Sequence, residues 1–439
     1  MRDERATEEL AFTGSVEGLS DDARRRLVER GAPEGDVLLR DRVAAIVRRV
    51  RADGDDALRA LARELDGVEL DDLEVPRREW TRALDALDPA LRRAMARSAE
   101  NIARAHRAFL PAAQEIETEP GIVVGRRPDP LGRVGVYAPG GRAAYPSSVL
   151  MGAVPARVAG VGEVVLCSPP QRDGSPAGVV LAAAALAEVE RVFALGGAGA
   201  IAAMAFGTES VPRVDRIVGP GNAYVAEAKL QVSGRVAIDS PAGPSELLAI
   251  VDGSADPRLV ARELVAQAEH DPDAFALAIA IGEKSATAVE AELRVAIADA
   301  ARREIVVASM ATRGGVLAAP DLATAVELAN EIAAEHVLLV LDDAASALAA
   351  LRGAGTVFVG ASSSVAFGDY MTGANHVLPT GGLARCYSGL STLDFVRWTT
   401  YQRVDRAAAA RLAGDVGAFA DAEGLPGHAA AARAWGASA

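Results

Sequence analysis

The sequence predicts an α/β protein: two Rossmann-like parallel-sheet units, with a helical N-terminal arm and a helical C-terminal extension. Three observations carry this reading. After Pro128, short apolar runs alternate with Ala-rich segments of helical length; the rhythm restarts at Leu247; and the chain before and after is charged, with its apolar residues at helical spacing. At 439 residues the chain exceeds what one core usually serves.

Residues 1–35 are charged and broken by Gly31 and Pro33, which reads as the arm. From Asp41 to Ala112, Val43, Ile46, Val47 and Val50 recur every three or four residues with Arg on the opposite, solvated face. Strands are expected at Val134–Tyr137, Val164–Cys167, Val192–Leu195 and Arg216–Val218. A second set is expected at Leu247–Val251, Phe275–Ile281, Ile305–Ala308, His336–Leu341 and Val357–Val359. Helix-length spacers imply crossover connections and so parallel sheets, with ligands gathering where glycine-rich loops leave the strand C-termini. Beyond Ser391 the pattern is polar and helical, interrupted at Gly424–Gly427.

Sixty acidic residues against 46 basic ones give a net charge of -14, which disfavours nucleic acid or an anionic membrane as a partner and suits a small or cationic substrate. The two cysteines, Cys167 and Cys386, lack CxxC spacing, so neither a disulfide framework nor a thiolate zinc site is indicated. Cys167 ends an apolar strand and reads as a small buried hydrophobe, not a nucleophile. No apolar stretch is long enough to span a bilayer, and a soluble cytoplasmic protein is expected.

Four of the five histidines fall in polar runs of the second half, Gln267-Ala-Glu-His270, Glu335-His336, Asn375-His376 and Glu423-Gly-Leu-Pro-Gly-His428, whereas His106 has no such company. Imidazole beside carboxylate supplies both metal binding and proton transfer. Gln267 and His270 are three apart on one helix and can reach one ion; the alternative is a histidine favoured by the helix C-terminus beside a solvated glutamine. Asp369, expected in a turn, is either an ordinary turn residue or a third ligand, with His428 as the fourth; such N/O donors suit zinc or a similar divalent ion. Glu335 and His336 stand where a helix, Leu322 to Ala334, gives way to a strand, and read either as an acid/base pair or as a salt-bridged cap. Gly196-Gly197-Ala198-Gly199, Gly219-Pro-Gly-Asn222 and Tyr137-Ala-Pro-Gly-Gly141 end successive strands; each could be turn chemistry, but together they line one ligand crevice.

Taken jointly with Gly243-Pro-Ser-Glu246, Gly207-Thr-Glu-Ser210 and Asn375-His-Val-Leu-Pro-Thr380, these motifs closely resemble the histidinol dehydrogenase family from about residue 35 to 435. The resemblance implies oxidation of L-histidinol to L-histidine through the aldehyde, with two NAD reduced in succession, as the last step of histidine biosynthesis. It implies a zinc ion on Gln267, His270, Asp369 and His428, holding the substrate's imidazole and amino nitrogen. It makes His336 the base for alcohol oxidation and Glu335 the activator of water, with Ser245, His376 and Glu423 contacting substrate and Tyr137 and Asn222 contacting NAD. It further implies an intertwined homodimer whose C-terminal extension reaches the neighbouring subunit. The corresponding division is an arm over 1–35, an NAD-binding domain over 137–245, a catalytic domain from 36–136 and 246–390, and the extension over 391–439.

One departure stands out. The family commonly reads Gly-Gly-Ala-Gln where this chain has Gly199 in fourth place, so a carboxamide expected to touch NAD is absent and only a backbone amide remains. That departure motivates an alternative, a family relative acting on another alcohol.

Overall fold

Each strand–helix stretch closes into its own five-stranded parallel sheet. Strands Arg133–Tyr137, Glu163–Ser168, Arg191–Ala194, Arg216–Val218 and Ala237–Ile238 lie in the order 3-2-1-4-5. Strands Glu246–Val251, Phe275–Ile281, Gly314–Ala319, His336–Val340 and Thr356–Val359 repeat that order. The computed structural model from which this is read describes residues 9–30, 37–140, 144–241 and 243–437. The central strands are buried on both faces, which is why they read as unbroken apolar runs instead of alternating ones.

The N-terminal helices belong physically with the first sheet. Helices Val37–Leu61, Arg77–Asp85 and Pro89–Ala108 place Val50, Leu58, Trp80 and Ile102 in one core with Val134, Val165 and Phe193. The second sheet has a separate core on each face. The boundary expected between residues 136 and 137 falls within strand Arg133–Tyr137. The two sheets are joined by residues 239–245, which run from the carboxyl end of one strand to the amino end of another. Seven residues cannot separate those two edges by more than about 30 Å.

Three expectations are corrected. Ile305–Ala308 lies inside helix Arg303–Arg313, and the strand is the following Gly314–Ala319, because a four-residue apolar run does not distinguish a strand from the buried side of a helix. Past Ser391 the chain forms a single 3-10 turn, Thr392–Phe395, and then strand Val396–Val404, which pairs antiparallel with Ile122–Pro130; the latter also pairs with Gln114–Glu119 in a small three-stranded sheet. Within the arm, residues 1–8 and 31–35 lie outside the described residues, as does Gly141. Of the rest, only Asp21–Val28 is helical. Its preceding segment bridges Gly315 and Ala318 from Phe12 and Ser15, covering an otherwise open sheet edge. Among the described residues no helix is long and apolar enough to cross a membrane.

Candidate active site

A cleft of about 780 Å³ opens at the carboxyl edge of the first sheet, where the strand order reverses. Tyr137 ends the central strand and is buried; its hydroxyl accepts from the Gly197 amide at 3.0 Å, and burial pushes its pKa up to about 12. Helix Gly197–Phe206 starts at this wall, and beyond Gly197, whose amide the Tyr137 hydroxyl takes, the amides of its first turn can take an anion such as a phosphate. On the opposite lip Asn222 caps helix Ala223–Val232, its side-chain oxygen accepting from the amides of Tyr224 and Val225. Gly219 (φ +119°) is obligatory there, since a Cβ would stand 2.1 Å from the Tyr137 carbonyl oxygen. At Gly199 an added Cβ would lie 3.1 Å from Leu61 Cδ1, so leucine side chains press on the place where the family's longer side chain would begin.

The candidate acid/base pair, Glu335 and His336, lies at the amino edge of the second sheet. Glu335 and His336 follow helix Leu322–Ile332, whose N-terminus is capped by Asp321 and whose end is turned by Ala333 in the left-handed region (φ +49°). That turn aims both side chains inward, leaving them 6% and 3% exposed. Glu335 Oε2 accepts from the Ser245 hydroxyl and from the Glu246 amide, each at 2.7 Å. His336 Nδ1 sits 2.9 Å from the Glu246 carbonyl. A carbonyl only accepts, so Nδ1 carries the proton and Nε2 of the neutral ring presents its lone pair. Nε2 is buried without a hydrogen-bond partner, 3.7 Å from Asp369 Oδ1. Burial resists charging this ring, but Glu335, through its charge and a hydrogen bond, and Asp369 outweigh it and raise the pKa to about 9.

Asp369 is not in a turn as expected but in helix Val365–Tyr370. The Val365 amide donates to Glu263 at 3.1 Å, which ties this helix to helix Pro257–Ala268 one turn before Gln267. Gln267 is buried with Nε2 unpartnered, and a half-turn of the carboxamide exchanges its nitrogen and oxygen. His270 is exposed just beyond the helix end. His376 Nδ1 donates to the Asp369 carbonyl at 3.0 Å, and burial lowers its pKa against the pull of Asp369. Glu423 and His428 are exposed at the corner between helices Arg406–Ala422 and Pro426–Ala437. Among the described residues of one chain no three His, Cys, Asp or Glu gather as a metal site, so His270, Asp369 and His428 do not come together as one. Cys167 is fully buried and its thiol pKa is raised by that burial, as its apolar setting suggested.

Comparison with known proteins shows the family. A family model described as histidinol dehydrogenase matches residues 32–435. The chain belongs to the histidinol dehydrogenase family. Histidinol dehydrogenase of Methanosarcina mazei is 44% identical over 93% of this chain and 94% of its own. That of Halobacterium salinarum is 46% identical over 95% and 97%. The crystal structure of histidinol dehydrogenase from Elizabethkingia anophelis superposes with a TM-score of 0.93 at 31% identity, covering 98% of each chain. The motif order of a histidinol dehydrogenase therefore comes with its fold, and the chain is an oxidoreductase of histidine biosynthesis.

Sequence reasoning missed residues that act at a distance. Arg30 of the arm forms a buried ion pair with Glu246, 2.9 Å apart. Asp55, beside the kink at Gly54, accepts from Thr208 and Ser210, while Glu209 accepts from the Asp55 amide. The Gly207-Thr-Glu-Ser210 motif is thus a latch on the kinked helix that walls the cleft. Lys229 and Asp239 pair beneath Gly219, holding its carbonyl and amide. Their partners are too remote in sequence for any local signal.

Proposed function

We propose that this chain oxidises L-histidinol to L-histidine by way of L-histidinaldehyde, in two successive NAD-dependent hydride transfers, as a zinc-dependent cytoplasmic enzyme. The observation that carries the reading is the buried Glu335–His336 pair, its ring committed at Nδ1 and unpartnered at Nε2, beside Asp369. When bound, NAD in the cleft would supply the hydride acceptor and zinc a positive centre that orients the substrate's nitrogens. The unpartnered Gln267 carboxamide and the nearby carboxylate fit an oxygen- and nitrogen-ligated dication, with His270 completing this chain's share. His428 would come from the second subunit of a homodimer, as the family resemblance implies.

His336 takes the alcohol proton at Nε2 in the first oxidation. In the second, Glu335 removes a proton from the water that adds to the aldehyde, and His336 takes the proton of the resulting hydrate. Ser245 holds Glu335 and, with His376 and Glu423, contacts substrate; Tyr137, Gly199 and Asn222 line the dinucleotide site. A ring with a pKa of about 9 would be protonated at neutral pH. A cation held by Asp369 would offset that carboxylate and return the ring toward the neutral form a base requires.

An anaerobic assay with L-histidinol and NAD decides the matter. Two NADH per substrate establish the full oxidation, and one establishes a simple alcohol dehydrogenase. No turnover of histidinol alongside turnover of another alcohol would favour the second reading, a relative with altered substrate, which Gly199 motivates.

A further inference from the structure

Four separate parts of the chain meet at the Glu246 side chain, which is buried at the start of strand Glu246–Val251. Arg30 donates to its two oxygens through Nε at 3.0 Å and Nη2 at 2.9 Å. The Gly381 amide donates to Oε1 at 2.9 Å, and the Glu335 amide to Oε2 at 3.2 Å. The main chain of the same residue holds the acid/base groups themselves, its amide on the Glu335 carboxylate and its carbonyl on His336 Nδ1. Arg30 is fixed in turn by the carbonyls of Leu27 and Ile332, the latter at 2.9 Å, and lies 4.5 Å over the Phe275 ring.

A buried ion pair of this kind contributes little net stability, because desolvation offsets attraction; its best-attested use is to specify register. Here the register is that of Glu335 and His336 against the loop that follows His376. We propose that Arg30 and Glu246 are positioning residues, and that the N-terminal arm, through Arg30, sets the geometry of the acid/base pair. This rests on the roles given to Glu335 and His336 above. Arg30 touches neither the Glu335 nor the His336 side chain; it acts through the Glu246 carboxylate, which holds the Glu335 amide, and through the Ile332 carbonyl at the end of the helix that leads into the pair.

The test uses the full-length, zinc-loaded enzyme with L-histidinol and NAD. Arg30→Met and Glu246→Gln each leave one buried charge unpaired, whereas the double variant removes both charges and is the safer folded species. The double variant is expected to lose about ten- to a hundredfold in kcat, the scale of an ångström misplacement, with KM for both substrates within about threefold of wild type. Arg30→Lys keeps the charge but not the fork, and should recover part of what Arg30→Met loses. Wild-type kcat per folded molecule in the double variant and in Arg30→Lys would overturn the proposal, as would a loss confined to KM or to melting temperature. Failure of the wild-type chain itself to oxidise histidinol would instead overturn the functional reading.

Discussion

At the scale of single residues, the proposed chemistry is divided between two neighbours whose surroundings differ. Glu335 receives two hydrogen bonds on one oxygen, whereas His336 keeps one nitrogen free. Only the second oxidation needs an activated water, so Glu335→Gln should slow aldehyde oxidation by about 10²–10⁴ while alcohol oxidation falls much less; His336→Asn should impair both. Supplying histidinaldehyde directly to each variant separates the steps, and normal aldehyde oxidation by the Glu335 variant contradicts the assignment. The raised His336 pKa also has a stability consequence. Its folded value, about 9, exceeds the 6.5 of a free imidazole, so the proton is bound more tightly in the native state. The resulting stabilisation is complete below pH 6.5 and lost as pH rises through about 9. In metal-free protein, the unfolding free energy obtained from urea titrations should fall between those limits by roughly 1–3 kcal/mol more than it does for His336→Asn. Parallel curves for the two proteins would refute this.

At the scale of elements, the cleft is shaped by how helix Gly197–Phe206 meets helix Val37–Leu61. Gly199 has an ordinary helical backbone, so a side chain there is limited by Leu61 alone, whose methyl group must give a few tenths of an ångström. Gly199→Gln should tighten NAD binding modestly, and Gly199→Gln with Leu61→Ala should tighten it further, because the second change clears the path into the cleft. Calorimetric titration with NAD checks both. Unchanged or weaker affinity in the double variant would mean that the loop is remodelled and that a missing contact is not what distinguishes this chain.

At the scale of the whole molecule, the cleft opens at the carboxyl edge of one sheet and the acid/base pair at the amino edge of the other, joined by residues 239–245. The C-terminal helices expose Phe419, 71% accessible, one turn before the corner that carries Glu423 and His428, and Trp435, 76% accessible, toward their far end. Exposed aromatic side chains on the same helices as the proposed site residues suit a second copy of the chain. If the subunits share sites, mixing Glu335→Gln with His428→Ala protein restores one intact site in each mixed dimer. Random pairing makes about half the dimers mixed, so roughly one quarter of full activity should return, as isologous symmetry demands. Proven subunit mixing without recovered activity would place His428 in its own chain's site.

What the sequence alone determined was local. Unbroken apolar runs marked the buried strands of both sheets, three-residue spacing put Gln267 and His270 at one helix end, and the Glu335-His336 junction was legible because a helix period stopped there. Resemblance added the roles of those residues. The failures were also local in origin: Ile305–Ala308 satisfies both periods, and Val396–Val404 was overlooked because its strand exists by pairing with residues some 270 positions earlier. Tertiary structure decided which sheet edge holds Glu335 and His336, that Leu61 presses on Gly199, that Arg30 reaches Glu246 across 216 positions, and that His270, Asp369 and His428 do not gather within one chain's described residues. Periodicity records only which face of an element is buried; which elements meet is set by packing summed over the whole chain, and no short window of sequence contains it.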